Sequence, residues 1–106
     1  MFNVANEFHN YGFHRNEGGF PGMKLREILS QLKNQNPGKK LTIDLSGMKA
    51  FYASFADGAF GLFIDEEKER FFDTFSFSGK TEYIETVNRV FERHKALGFN
   101  KDAANR

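Results

Sequence analysis

The chain has 106 residues and a formal net charge of +1, which fits one domain over residues 1–106 and disfavours a protein that binds nucleic acid through a broad basic surface. It contains no cysteine, so disulfides, thiolate zinc sites and cysteine nucleophiles are excluded. No apolar run approaches the roughly 18 residues of a membrane span and no signal peptide opens the chain, so we expect a cytoplasmic protein. Its 14 phenylalanines and lack of tryptophan predict a core built largely from Phe rings.

The first two predicted units are an N-terminal strand region and a helix. In residues 1–20, aromatic and aliphatic side chains alternate loosely with polar ones, which predicts one or two short strands, or a hairpin, ending near Glu17. Over residues 23–34, leucine and isoleucine recur at helical spacing on one side, which predicts an amphipathic helix.

Further strands are predicted over residues 40–46 and 71–77. In the first, Leu41, Ile43 and Leu45 alternate with polar residues, as in a half-buried strand. Strand–helix–strand units give parallel pairs with right-handed crossovers. We therefore expect an α/β fold in which strand 40–46 is central, flanked by strands from the N-terminal region and from 71–77.

Two further helices are predicted over residues 54–69 and 81–97. The first is apolar around most of its girth, which is typical of a buried helix, and Ser54 and Asp57 have capping-box spacing at its start. The second has an apolar inner face and is followed by a glycine suited to a C-terminal cap. The polar residues 100–106 are predicted to fray.

Two segments resemble the bacterial STAS-like family of unknown function: Leu-Thr-Ile-Asp-Leu-Ser-Gly-Met at 41–48 and Ser-Phe-Ala-Asp-Gly-Ala-Phe-Gly at 54–61. That family has a strand of the type hydrophobic-Asp-hydrophobic-Ser-Gly, followed by a helix that starts Ser-Phe-Ala-Asp. The wider STAS superfamily includes the anti-sigma factor antagonists. The resemblance implies a single STAS-like domain, with a mixed sheet of four or five strands and helices packed mainly on one face.

The resemblance also implies a partner-switching role centred on the start of helix 54–69. In antagonists, the serine that heads this helix accepts a phosphate from a partner kinase with a GHKL-type ATP site, and the matching residue here is Ser54. Tyr52 and Phe55 stand where antagonists usually have Asp and Gly. A phosphate on Ser54 would meet free N–H groups and the positive end of the helix dipole, but a serine there is also a simple N-cap, and both interpretations stay open. The expected partner-binding residues are Tyr52, Ala53, Ser54, Phe55, Asp57 and Gly58.

Catalytic and metal sites find weaker support in the sequence. Asp44 and Asp57 would form an acid–base pair only by facing one cleft, and each has a simpler structural interpretation. His9, His14 and His94 lack the spacing of a metal site, and each is more simply a surface, hairpin-edge or core-rim residue. We therefore expect no enzyme activity, no metal and no cofactor.

Nucleotide and nucleic-acid binding are also disfavoured. Residues 78–81, Ser-Gly-Lys-Thr, are similar to the end of a phosphate loop, but Thr74 stands where that pattern requires glycine. The N-terminal aromatics could stack bases, yet the basic residues near the C-terminus lie on a helix whose other face is core. Those basic residues are Arg89, Arg93, Lys95, Lys101 and Arg106.

The expected function is a non-catalytic protein–protein interaction module that acts as a regulatory switch, with a GHKL-type ATPase or kinase as its partner. The alternative is a small protein inhibitor, of bacterial or phage origin, that blocks an enzyme by binding it without a phosphoswitch. A small enzyme or nucleotide binder ranks third, because the sequence offers no triad, metal set or phosphate loop. No membrane partner is expected.

Overall fold

The structure of the chain is a computed structural model that describes residues 1–99. The tail that was expected to fray, residues 100–106, lies outside the described residues. No helix in the described range is long and apolar enough to cross a membrane. The elements in chain order are β1 (Phe2–Asn3), α1 (Val4–Glu7), β2 (Tyr11–Gly12), α2 (Gly22–Gln35), β3 (Leu41–Asp44), β4 (Ala50–Phe51), α3 (Ala53–Glu67), a 3₁₀ turn (Lys68–Arg70), α4 (Phe71–Thr74), β5 (Phe75–Ser78) and α5 (Thr81–Ala96).

The strands β1, β3 and β5 form a parallel sheet in which β3 lies between the other two. Ile43 of β3 is opposite Phe2 of β1 on one side and Phe77 of β5 on the other, and it is fully buried. The central position predicted for strand 40–46, between an N-terminal strand and a strand from 71–77, is therefore confirmed.

The prediction of a mixed sheet with four or five strands is wrong. Within residues 1–99 the strands form the parallel three-stranded sheet and a separate parallel pair, β2 with β4, in which Tyr11 is opposite Ala50. The sheets are separate because the chain leaves β1 through the one-turn helix α1, whose N-cap Asn3 accepts a hydrogen bond from the Asn6 N–H at 2.8 Å. The predicted N-terminal hairpin is also wrong. The strands β1 and β2 do not pair with each other, because each pairs with a strand far along the chain.

The segment predicted as strand 71–77 is divided between α4 and β5. A strand would direct Phe71 and Phe72 to opposite faces. In the helical turn of α4 these two rings instead contact each other, with centroids 5.0 Å apart, and Phe71 also lies 5.3 Å from Phe75. Packing of this Phe cluster therefore overrides the alternating pattern.

The three long helices α2, α3 and α5 have nearly their predicted bounds, and α3 packs against both of the others. The contact between α2 and α3 is close at Gly22, where a Cβ would lie 2.1 Å from the Phe55 carbonyl oxygen. At the end of α5, Gly98 has a φ of +75° and the Phe99 N–H donates to the His94 carbonyl at 2.8 Å. The predicted glycine cap is therefore confirmed.

The core is built from phenylalanine, as the composition predicted. Phe55, Phe60, Phe71 and Phe75 are fully buried. The Phe60 ring of α3 lies edge-on to two rings of β5, with centroids 6.1 Å from Phe75 and 5.1 Å from Phe77. Such pairs contribute about 0.5–1.5 kcal/mol each beyond the area that they bury. These contacts hold α3 against the sheet and so fix the direction of its first turn.

Candidate interaction surface

Helix α3 begins earlier than predicted. Its N-cap is Tyr52, whose backbone is extended with a φ of −93° and a ψ of 158°, and Ser54 is the second helical residue. The Ser54 hydroxyl donates to the Phe13 carbonyl oxygen at 2.8 Å. The predicted N-cap role of Ser54 and its capping box with Asp57 are therefore wrong. The cause is strand β2, which pairs with β4 just before the helix: the Tyr52 N–H donates to the Gly12 carbonyl at 2.9 Å, and the next carbonyl along the chain reaches Ser54.

Asp57 lies one turn further along α3 and belongs to a chain of charged groups. The Arg15 Nε donates to Asp57 Oδ2 at 3.0 Å. His94 on α5 donates through Nε2 to Asp57 Oδ1 at 2.5 Å and through Nδ1 to Asp65 Oδ1 at 2.7 Å. We call Arg15, Asp57, His94 and Asp65 the charge chain. It alternates in sign and joins the N-terminal segment, α3 and α5.

The two carboxylates of the charge chain hold the proton on His94. The hydrogen bond to Asp57 raises the pKa of His94 above its ordinary value, burial opposes this, and the bond to Asp65 adds to the increase. The bond from His94 in turn lowers the pKa of Asp57, again against the effect of burial. Because a carboxylate accepts hydrogen bonds and does not donate them, both ring nitrogens donate when His94 is protonated, and in that form neither can serve as a general base.

Two glycines of α3 make room for these contacts. A Cβ at Gly58 would lie 2.7 Å from the Arg15 carbonyl oxygen, and a Cβ at Gly61 would lie 2.6 Å from Asp57 Oδ1. Gly in a helix interior costs about 1 kcal/mol against Ala, and the close approach that it allows here compensates for that cost. Gly58 meets the chain's own segment at Arg15.

The residues predicted to bind a partner divide into exposed and buried sets. Tyr52 is 55% exposed and Ser54 is exposed, while Ala53 and Asp57 are half-buried. Phe55 is fully buried beneath Phe51 and Phe8, and Gly58 is buried as well. Phe55 and Gly58 therefore belong to the interior, because α3 turns them towards the core and towards α2. The accessible part of the predicted surface is Tyr52 and Ser54, with the edges of Ala53 and Asp57.

Two exposed aromatic residues that were not predicted as site residues lie beside Tyr52. Phe13 is 41% exposed and Tyr11 is 39% exposed. The Tyr11 and Phe13 rings stack with centroids 5.4 Å apart, and Phe13 lies 5.4 Å from Tyr52. We call Tyr11, Phe13 and Tyr52 the aromatic surface. Tyr11 and Phe13 have the two-residue spacing of a strand face, which is a signal in the sequence, but their place beside Tyr52 depends on the pairing of β2 with β4.

Asp44 lies in a different place and does not pair with Asp57. It accepts hydrogen bonds from the Ser46 N–H at 2.9 Å, from the Asn3 amide at 3.0 Å and from the Ser78 hydroxyl at 3.3 Å. These bonds, that of the Ser46 N–H first, lower the pKa of Asp44 to about 2. Asp44 therefore connects the carboxyl ends of β1, β3 and β5, and its partners differ from those of Asp57.

The remaining candidates of the sequence have local partners. Lys80 forms an ion pair with Glu82 at 2.6 Å, and the hydrogen bond to this carboxylate raises the pKa of Lys80. His9 stacks on Phe20 with centroids 4.2 Å apart, and His14 is exposed beside the aromatic surface. Within residues 1–99, His, Asp and Glu side chains form no group of three or more that could hold a metal ion.

Comparison with protein-family models matches residues 22–85 to a family described as a STAS-like domain of unknown function (DUF4325). Searches of curated proteins and of solved structures found no significant match. The matched residues run from the start of α2 into α5 and cover more than half of the chain, including β3, β5 and the first turn of α3. The resemblance noted in the sequence is thus confirmed, and the chain belongs to this family of STAS-like domains.

Proposed function

We propose that the chain is a non-catalytic protein–protein interaction module that regulates a partner protein in the cytoplasm. Its contact surface is the aromatic surface together with Ser54. The observation that carries the proposal is the exposure of three rings beside the start of α3, with Phe13 in contact with both Tyr11 and Tyr52, next to the serine that matches the phosphate acceptor of antagonists.

The aromatic surface has the composition of a protein-binding site. Exposed Tyr side chains bury a large area at low cost in conformational entropy, and Tyr is enriched among the residues that dominate binding energy. The rings are also held before binding. Tyr11 belongs to β2, Tyr52 is fixed by the β2–β4 pairing, and the Phe13 carbonyl is bonded to Ser54. A partner would therefore meet a surface that is already ordered, which lowers the cost of association.

We propose that phosphorylation of Ser54 regulates the binding of the partner. A phosphate at the second residue of α3 would lie near the free N–H groups and the positive end of the helix dipole. Esterification removes the hydroxyl proton that now bonds the Phe13 carbonyl. It also places negative charge one turn from Asp57 and so competes for Arg15. Both effects would move Phe13 and change the aromatic surface. A GHKL-type kinase is the partner that the family resemblance favours.

We also propose that the chain is not an enzyme. The Ser54 hydroxyl donates to a backbone carbonyl rather than to a base, and both nitrogens of His94 are bonded to carboxylates. Nucleophilic catalysis by serine needs a base within hydrogen-bond reach of the hydroxyl. The arrangement of Ser54, Asp57 and His94 therefore serves positioning better than proton transfer.

The test is an affinity pull-down from the native host, with mass spectrometry of the bait and its partners. We expect a partner that is retained by wild type and lost by Tyr52→Ala, which removes the most exposed ring of the surface. The matched control is Phe20→Ala, which removes a ring of similar exposure (49%) outside the aromatic surface and should keep the partner. Retention of the same partner by all three proteins would contradict the proposed surface.

The variant Ser54→Asp distinguishes a phosphoregulated interaction module from an inhibitor that has no phosphoswitch. If the contact is phosphoregulated, the added charge should weaken partner binding while the protein stays folded, because a charge at an interface must be desolvated. Binding that needs Tyr52 but is unaffected by Ser54→Asp would instead identify an inhibitor that works without a phosphoswitch.

A further inference from the structure

We propose that the partner segment that binds this surface is an acidic peptide stretch, with an apolar side chain on the aromatic surface and a carboxylate between Lys49 and Arg89. This inference rests on the proposed function and names the chemistry of the partner.

A groove adjoins the aromatic surface and shares Tyr52 with it. It lies between β4 and α5 and has a volume of about 260 Å³. Its polar lining residues are Lys49, Tyr52, Glu82, Tyr83, Thr86 and Arg89. A peptide that packs on Tyr52 therefore already contacts a residue that lines the groove.

The positive charges of the groove are unmatched. Neither Lys49 nor Arg89 forms an ion pair with any residue of the described part of the chain. The acidic lining residue Glu82 is already paired with Lys80 at 2.6 Å. A carboxylate in the groove would thus gain two cationic neighbours, with the negative charge of Glu82 already balanced.

The two cations are also held in place. The Lys49 ammonium lies 5.9 Å from the centroid of the Tyr11 ring, a cation–π distance. The Arg89 Nη2 donates to Thr86 Oγ1 at 3.2 Å, which ties the guanidinium to another residue that lines the groove. Lys49 thus joins the groove to the aromatic surface. A peptide in which an acidic residue adjoins an apolar one can therefore place its carboxylate in the groove and its apolar side chain on the aromatic surface.

The charges of the groove favour a peptide as the ligand. Nucleic acid is the alternative ligand, because it also has anionic groups and bases that stack on rings. Single strands are bound through a row of cations that follows the phosphates and through open ring faces. Here the groove offers two cations, Lys49 and Arg89, rather than a row of them. The Tyr11 and Phe13 rings stack nearly parallel, at 12°, so one face of each is already covered.

The test is selection of a phage-displayed random 12-residue peptide library on the full chain. We expect recovered peptides in which Asp or Glu adjoins an aromatic or large aliphatic residue. A synthetic copy of a recovered peptide should lose about tenfold or more in affinity for the Lys49→Glu/Arg89→Glu variant, as for close charge pairs at interfaces. The matched control is Lys39→Glu/Arg70→Glu, with the same change in charge at two exposed cations elsewhere, and it should bind within about twofold of wild type.

Three results would overturn the inference. They are recovery of no peptides, recovered peptides without acidic residues, and binding that the Lys49/Arg89 change leaves intact. A single-stranded dT12 oligonucleotide is measured in parallel, and its binding with loss in the same variant would identify a nucleic-acid surface instead. In the pull-down, a partner lost by Tyr52→Ala but kept by Lys49→Glu/Arg89→Glu refutes the acidic peptide and leaves the proposed function standing.

Discussion

Asp44 and Asp57 both have a serine close by in sequence, yet they lie in clusters of opposite character. Asp44 accepts hydrogen bonds from neutral donors at the ends of neighbouring strands. Asp57 accepts from two cations, Arg15 and His94, that come from opposite ends of the described chain. The first cluster connects the carboxyl ends of β1, β3 and β5, whereas the second joins the N-terminal segment at Arg15 to α3 and α5.

A structural cluster and a cluster that supports a site differ in where their contacts lead. The Asp44 cluster ends within itself, because its donors and acceptors are satisfied by the strand ends. The Asp57 cluster is connected to the aromatic surface. Arg15, which bonds Asp57, belongs to the same segment as Phe13, and Phe13 contributes a ring to that surface. A change in charge at His94 is therefore expected to reach the contact surface, and a change at Asp44 is not.

The largest expected effect is that of His94→Ala. This change removes the imidazolium from between two carboxylates, of which the Asp65 side chain is fully buried. Loss of such a charge-assisted contact should lower the free energy of unfolding by about 3 kcal/mol. Urea unfolding measures it. The control is His14→Ala, an exposed histidine outside the charge chain, with an expected change within about 0.5 kcal/mol. Equal effects of the two variants would show that the charge chain contributes little.

The second prediction is a difference in pH dependence between the two clusters. The raised pKa of His94 gives stability that is complete below its ordinary pKa of 6.5 and is lost as the pH rises through the raised value. The lowered pKa of Asp57 gives stability that is complete above 3.8 and is lost as the pH falls through the lowered value. The contribution of Asp44, with a pKa of about 2, should be constant from neutral to alkaline pH.

Urea unfolding between pH 6 and 9 checks this difference. Wild type should lose stability towards alkaline pH, and His94→Gln, which keeps an amide donor but does not titrate, should lose less. Asp44→Asn should keep the alkaline slope of wild type. If His94→Gln retains that slope in full, the proton on His94 does not set it.

The smallest expected effect is that of Ser54→Ala. The hydroxyl is not the helix N-cap and is exposed, so its loss removes one hydrogen bond to Phe13, and the better helix propensity of alanine offsets part of the cost. We expect a change of about 0.5 kcal/mol or less in the free energy of unfolding. A loss of about 2 kcal/mol would indicate that the contact with Phe13 holds much more of the N-terminal segment than one bond suggests.

Local sequence patterns correctly predicted the central strand and the three long helices. Alternation over 40–46 identified the central strand, and helical spacing identified α2, α3 and α5, because each pattern is satisfied by burial of one face. In the N-terminal region the short strands were predicted but the place of β2 was not, since β1 and β2 pair with strands that are distant in sequence rather than with each other. In the predicted strand 71–77, only residues 71–74 are helical instead, because the packing of Phe71 on Phe72 overrode the alternation there.

The site was predicted only in outline. Ser54 and Asp57 have the spacing of a capping box, and nothing within α3 indicates that β2 would take over the backbone before them. The charge chain left a signal in the sequence: Asp57, Gly61 and Asp65 follow one another at intervals of four, which places two acidic residues and a residue without a side chain on one face of a mostly apolar helix. The partner that this stripe requires, His94, is identified only by the packing of α5 on α3.

The parallel pairing of every described strand also has a consequence for the rate of folding. Asn3 and Asp44 pair across 41 residues, and Tyr11 pairs with Ala50 at a similar separation, so strand pairing cannot start from a local hairpin. Loop closure over such distances must come before the contacts that reward it, which makes folding slow for a chain of this length. The long helices can form early, whereas the β2–β4 pair that assembles the aromatic surface depends on a distant encounter. A nascent chain would thus acquire its helices well before it could recognise a partner.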